Sequence, residues 1–176
     1  IEDNKMTSDF KTRFPQIFSQ GCEVSVGSGW HNILTSAFTA IQGHIDHSIE
    51  QRERNIQYNL MAEGLRVGDD TLFQEQFRSF RDSPDWLNRR REEIMCEPHH
   101  VIKDPCTQFV AVQIKEKFGT LRLYHDGGDD YCRGVVEMAE VMSGCTCEVC
   151  GSPGRTAGQG WIRTLCDPCR VRKDEE

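Results

Sequence analysis

The sequence predicts an α+β fold, with helices packed on a small antiparallel sheet and a cysteine-rich module closing the C-terminal end. Three patterns carry that expectation. Apolar residues recur at threes and fours over 33–60, the period of a helix lying along a core. Two stretches of alternating apolar and polar residues, 109–114 and 121–124, flank Lys117-Phe118-Gly119-Thr120 and read as an antiparallel hairpin. Two CxxC pairs, Cys147 with Cys150 and Cys166 with Cys169, stand on either side of a glycine-rich stretch.

Taken in order, Ile1 to Lys5 precede Met6 and are expected to be a remnant outside the fold. Phe10, Phe14, Ile17 and Phe18, interrupted by Pro15, predict a short helix or turn packed on the core, and 23–26 a brief strand. Gly27-Ser28-Gly29-Trp30 punctuates the chain, with Ser28 expected to cap the next helix. Ile33, Leu34, Ala37, Phe38, Ile41, Ile45, Ile49, Ile56 and Leu60 then make one continuous stripe on a long helix, with Gly64 its expected stop. A second helix is predicted from Thr71, facing Leu72, Phe73, Phe77 and Phe80 inward. A third starts after Ser83-Pro84, with Trp86, Leu87, Arg90 and Ile94 on one face. Arg89-Arg90-Arg91 is succeeded at once by Glu92 and Glu93, so it reads as a solvated face. The stretch 98–105 is a linker. In the hairpin, Val110, Val112 and Ile114 are expected on one side. Asp126-Gly127-Gly128-Asp129-Asp130 forms a loop that starts a helix carrying Tyr131, Cys132, Val135, Val136, Ala139 and Met142.

The two CxxC pairs have the spacing with which thiolates grip one tetrahedral ion, and Gly151 suits the tight knuckle after the first pair. One structural Zn2+ held by Cys147, Cys150, Cys166 and Cys169 is therefore expected. Knuckle, hairpin and terminal helix in that order make a treble-clef-like or zinc-ribbon-like module over 145–176, behind an α+β core over 6–144 with a helical insert at about 50–100. Cys22, Cys96, Cys106, Cys132 and Cys145 read as buried small hydrophobes, with Cys145 a remote alternative to Cys147.

Composition narrows the function. A formal charge of −7 argues against sequence-independent gripping of phosphate backbones. An odd cysteine count of 9, no secretory pattern at the start and no apolar run near membrane-span length make a reducing cytoplasm, without membrane attachment, the expected setting.

Two further sites are expected as candidates. The Gly127-Gly128 junction, with Asp129, Lys115 and Arg122, offers close backbone approach, a helix start and nearby cations for the phosphate of a small nucleotide, although the aspartates serve equally as helix caps. His44 and His47, one helical turn apart, read first as two surface histidines; to share a metal they would need Glu50, one turn further on, or His125 or Asp126 approaching from the hairpin. Over 151–173 five basic residues, Arg155, Arg163, Arg170, Arg172 and Lys173, accompany Asp167 alone, leaving nucleic-acid contact with Trp161 as a stacking platform open; Trp161 is otherwise expected in the core. A zinc-braced nuclease is disfavoured, because 151–165 holds no histidine or carboxylate.

Three motifs together resemble an uncharacterised family of small phage and prophage proteins. They are Gly27-Ser28-Gly29-Trp30; the run from Val112-Gln-Ile-Lys-Glu-Lys-Phe-Gly-Thr-Leu-Arg-Leu-Tyr124 to Gly127-Gly128-Asp129-Asp130; and Cys147-Glu-Val-Cys150-Gly151 with Gly160-Trp161, Thr164-Leu165 and Cys166-Asp-Pro-Cys169. The resemblance covers about half of the residues and omits 50–100. It implies a phage-encoded accessory protein inside the bacterial host, of a kind that binds and inhibits a host component in takeover or counter-defence. The closed four-cysteine site, the acidic charge and the lack of a catalytic constellation add the expectation that it is not an enzyme.

Overall fold

The computed structural model describes residues 2–174. The chain is α+β and forms two compact units, one running to Asp46 and resuming at Cys106, the other His47–Pro105.

In the first unit, α1 (Glu2–Arg13) already passes through the stretch expected to lie outside the fold. It ends before Phe14 because a residue preceding proline is pushed out of the helical region. Phe10, Ile17 and Phe18 are buried, and Phe10 and Phe18 meet Phe38 edge-on at ring separations of 5.4 and 5.3 Å. β1 (Val24–Ser25) pairs parallel with β2 (Val110–Lys117), and β2 pairs antiparallel with β3 (Thr120–Asp126). The sheet is thus mixed rather than wholly antiparallel, and the long stretch between β1 and β2 supplies the crossover that a parallel pair needs.

Phe118 and Gly119 form the two-residue turn of the hairpin with φ of 53° and 77°. Both central residues being left-handed matches the strand twist of a type I′ turn. A bulge between Ala111 and Gln113 resets the alternation. Ala111 and Ile114 are therefore buried while Val112 is exposed, so the expected grouping of Val110, Val112 and Ile114 on one side does not hold.

α5 (Asp130–Ser143) lies beside β3, and its polar side chains close that strand's open edge: Leu121 N donates to Ser143 Oγ at 2.8 Å and Leu123 N to Glu140 Oε1 at 3.0 Å. β4 (Arg155–Ala157) and β5 (Arg163–Leu165) form an antiparallel pair, and α6 (Asp167–Asp174) comes after them.

α2 (His31–Val67) is longer than expected. Gly64 stays inside it, and Gly68, with φ 85°, is the residue that leaves it. The expected stripe is buried only through Ile45; Ile49 and Leu60 are exposed, and Met61, Ala62 and Leu65 are buried instead, in the core of the second unit. That core adds Phe73 from α3 (Thr71–Gln76) and Ile94 from α4 (Pro84–Cys96). Leu72 and Phe80, expected inside, are exposed: within α3 it is Phe73 that is buried, and α3 stops after six residues, so its helical period does not continue to Phe80. Arg90 pairs with Glu93 at 3.0 Å and Arg91 with Asp70 at 3.0 Å, but both are half-buried, Arg91 over the Phe73 ring at 5.2 Å, so of the three arginines only Arg89 meets the expected solvated face.

Candidate metal centre

Cys147 and Cys150 lie where the chain turns between α5 and β4, Cys166 directly after β5, and Cys169 in the first turn of α6. Their four sulfur atoms all stand within 4.8 Å of one another, and Cys150 and Cys166 are 3.6 Å apart. Thiolates each about 2.3 Å from one tetrahedral ion lie about 3.8 Å apart, so the spacing fits the donor set of a structural metal ion and leaves no open position. Cys145, exposed and bonded to Met142 O, is outside the group.

The knuckle is built by its backbone. Gly151 N donates to Cys147 O at 2.9 Å, and Gly151 takes φ 77°, which a side chain would resist. The thiols share protons unequally. Hydrogen bonds from the Ser152 hydroxyl and amide hold Cys150 down at about 6. Burial pushes Cys147 up, but amide hydrogen bonds from Cys166, Cys150 and Val149 outweigh it and leave the thiol below its ordinary value. Cys169 is pushed up to about 12, by its hydrogen bond with Cys166 first and then by burial. Four thiolates side by side repel one another, and a cation removes that cost.

Two stretches remote in sequence converge on this knuckle. Gly29 N donates to Glu148 O at 2.9 Å, Ser28 Oγ to Val149 O at 3.3 Å, and Trp30 Nε1 to Thr146 O at 2.8 Å. Ser28 thus holds the knuckle rather than capping α2. A Cβ on Gly27 would come to 2.1 Å from Glu148 O, and one on Gly29 to 2.1 Å from Cys147 O. Only glycine lets the two backbones approach so closely. The hairpin turn arrives from another direction, where Thr164 Oγ1 donates to Gly119 O at 2.5 Å. Glu148 is buried and carries an ion pair and a short hydrogen bond from Arg163. The Gly27-Ser28-Gly29-Trp30 motif, the Phe118-Gly119 turn and the cysteine knuckle are therefore one construction. Spacing shows the cysteines but not the clamp, whose only sequence signal is a pair of glycines flanking a serine.

Of the other candidate residues, Lys115 lies over the Tyr124 ring at 5.2 Å, and Arg122 bonds to Thr120 Oγ1 and Leu121 O and stands 3.8 Å from Glu140. Gly127 approaches Gln108 O and Gly128 approaches Cys132, each where a Cβ would collide. Asp129 caps α5 by accepting from Cys132 N and pairs with His44 Nε2 at 2.8 Å. That bond, against burial, holds its carboxyl down at about 2. His125 stacks on Phe109, and His47, exposed, belongs to the second unit. Cys22 and Cys132 are buried as expected, but Cys96 and Cys145 are exposed. Cys106 is half-buried beside Cys132, and its thiol is pushed up to about 12 by burial first, then by Cys132 and Asp129.

Trp161, expected in the core, is 78% exposed, because β5 begins only at Arg163. Elsewhere on the module the cations have partners: Arg155 pairs with Asp167 at 3.2 Å, Arg170 donates to Arg155 O, and Arg172 to Pro168 O. No described helix is long and apolar enough to cross a membrane. No protein-family model, curated protein or solved structure matches the chain.

Proposed function

We propose that one zinc ion holds the four-cysteine module, and that the protein is a non-enzymatic binding protein: a phage accessory factor that docks on a bacterial host protein and blocks it. The observation that carries the docking is the outer face of α5. This helix has two apolar stripes. Cys132, Val136 and Ala139 point into the core, while Tyr131, Val135, Met138 and Met142, at spacings of four, three and four, form a second stripe. Met138 and Val141 are 60% and 71% exposed. Together with Ile33 and Ala37 of α2 the stripe lines an open, almost wholly apolar groove of about 430 Å³. An apolar groove on a water-facing surface is a partner site, and methionine adapts its shape to an incoming apolar helix.

The test is capture from bacterial lysate by wild type and by Met138→Glu, with metal content and melting temperature measured on both. Loss of one specific host protein in a variant that keeps its metal and its stability supports the reading. Capture unaffected by Met138→Glu defeats it. So does a wild-type homodimer in light scattering that the same substitution makes monomeric, because then the groove is filled by a second copy.

One observation favours a second reading, nucleic-acid contact through the module: Trp161 stands exposed on its surface. This reading expects single-stranded binding that weakens on Trp161→Ala and falls with salt. A flat salt response removes it.

A further inference from the structure

We propose that His44, Cys106, Asp129 and Cys132 form a second, closed metal site, selective for a borderline divalent cation such as zinc. The donors come from three separate places: α2, the segment entering β2, and the start of α5. Nevertheless His44 Nε2, Cys106 Sγ and an Asp129 carboxylate oxygen all lie within 4.8 Å of one another. Cys132 Sγ, 4.0 Å from Cys106 Sγ but outside that mutual 4.8 Å distance, closes the set as the fourth donor by a side-chain rotation. That sulfur separation is close to the about 3.8 Å of two thiolates on one tetrahedral zinc.

The site is held by its surroundings. Tyr131 stacks on the His44 ring at 4.3 Å and 23°, fixing its plane. Cys132 N occupies Asp129 Oδ1 at 3.2 Å, which leaves Oδ2 turned toward His44. Gly128 N donates to Thr107 O at 3.1 Å and Thr107 Oγ1 to Gly128 O at 3.3 Å, pinning Cys106 beside the Asp129 turn. Gly128, at φ 76°, has Cys132 Sγ 3.2 Å from where its Cβ would stand. Glycine there lets the sulfur lie next to the turn.

An ion about 2.0 Å from both nitrogen and oxygen parts His44 Nε2 and Asp129 Oδ2, now 2.8 Å apart, by about half an ångström. This is a side-chain adjustment, not a backbone one. Imidazole, carboxylate and two thiols make a set that magnesium and calcium avoid and zinc accepts. The inference is independent of the docking proposed above.

The probe is zinc itself. The reduced protein of 176 residues is titrated with zinc and weighed under native conditions, alongside His44→Ala and Cys106→Ser. Both substituted side chains are partly exposed, and neither belongs to the four-cysteine module. Two ions per chain in wild type and one in each variant are expected. Cobalt in place of zinc adds a ligand readout: Cys106→Ser should lose thiolate-to-cobalt charge-transfer absorption relative to wild type. One ion in wild type at excess zinc overturns the proposal. Two ions in either variant, or an unchanged cobalt spectrum, overturn it equally, because the second ion then lies elsewhere.

Discussion

Gly29 shows how much can hang on one hydrogen atom in place of a methyl group. Its Cα faces the carbonyl of Cys147, with room for nothing larger. Overpacking a well-filled site costs about 1–3 kcal/mol, and here the obstacle is backbone that cannot rotate away. Gly29→Ala should therefore lower the melting temperature and weaken metal retention together, as read by calorimetry and by competition with a chromophoric chelator. Unchanged metal affinity would show that the clamp does not support the knuckle. Tyr58 offers a separate test in the second unit, through its hydrogen bond to Glu97. Burial first, and then Glu97, push the phenol up to about 12, while the Tyr58 hydroxyl, against burial, holds the Glu97 carboxyl below its ordinary value. The raised phenol contributes stability that is complete below its unfolded pKa of about 10 and is lost as pH rises toward 12. The depressed carboxylate contributes stability present above its unfolded value and lost as pH falls below it. Tyr58→Phe should cost about 1 kcal/mol at neutral pH and flatten both limbs, measured by denaturant unfolding from pH 3 to 12. An alkaline limb that survives the substitution would place its origin elsewhere.

Among the elements, α5 serves two surfaces at once, one facing the core and one facing solvent. Met138→Glu and Val141→Glu should change stability by under about 0.5 kcal/mol, because neither residue is buried and no special backbone geometry is involved. Strong destabilisation of either variant in a thermal melt would mean that this face is covered by the protein itself. The elements also show what a sequence can disclose. α5, the hairpin with its Phe118-Gly119 turn, and the two CxxC pairs obey local rules, since each is decided by residues close together in the chain. The β2 bulge is not local: an extra residue between Ala111 and Gln113 reverses which side chains are buried, and no nearby residue announces it. The α2 stripe fails for a related reason. One helix serves two cores, so a single apolar period cannot describe both Ile45 and Met61. The His44–Asp129 contact spans 85 positions and is invisible to spacing altogether.

For the molecule as a whole, the decisive feature is that one unit contains the four-cysteine module and the other does not. The cluster around the module buries Leu165 beside three of its cysteines and little else. So small an apolar core cannot offset the chain entropy of the residues around it without the ion. Metal binding in such modules supplies about 10–16 kcal/mol at neutral pH, and that free energy is folding free energy. Chelation under reducing conditions should therefore unfold the module first, and Cys150→Ser should reproduce the effect. The readout is amide exchange: Gly151, Gly154 and Thr164 should lose protection, and Trp30 should lose it next, because its anchor at Thr146 belongs to the knuckle. Met61, Ala62 and Leu65, whose buried core residues come from α2, α3 and α4, should keep theirs. Retained protection throughout the chain after complete metal removal would mean that the cysteines are not what holds the module. Loss everywhere at once would show that the second unit cannot stand without the first.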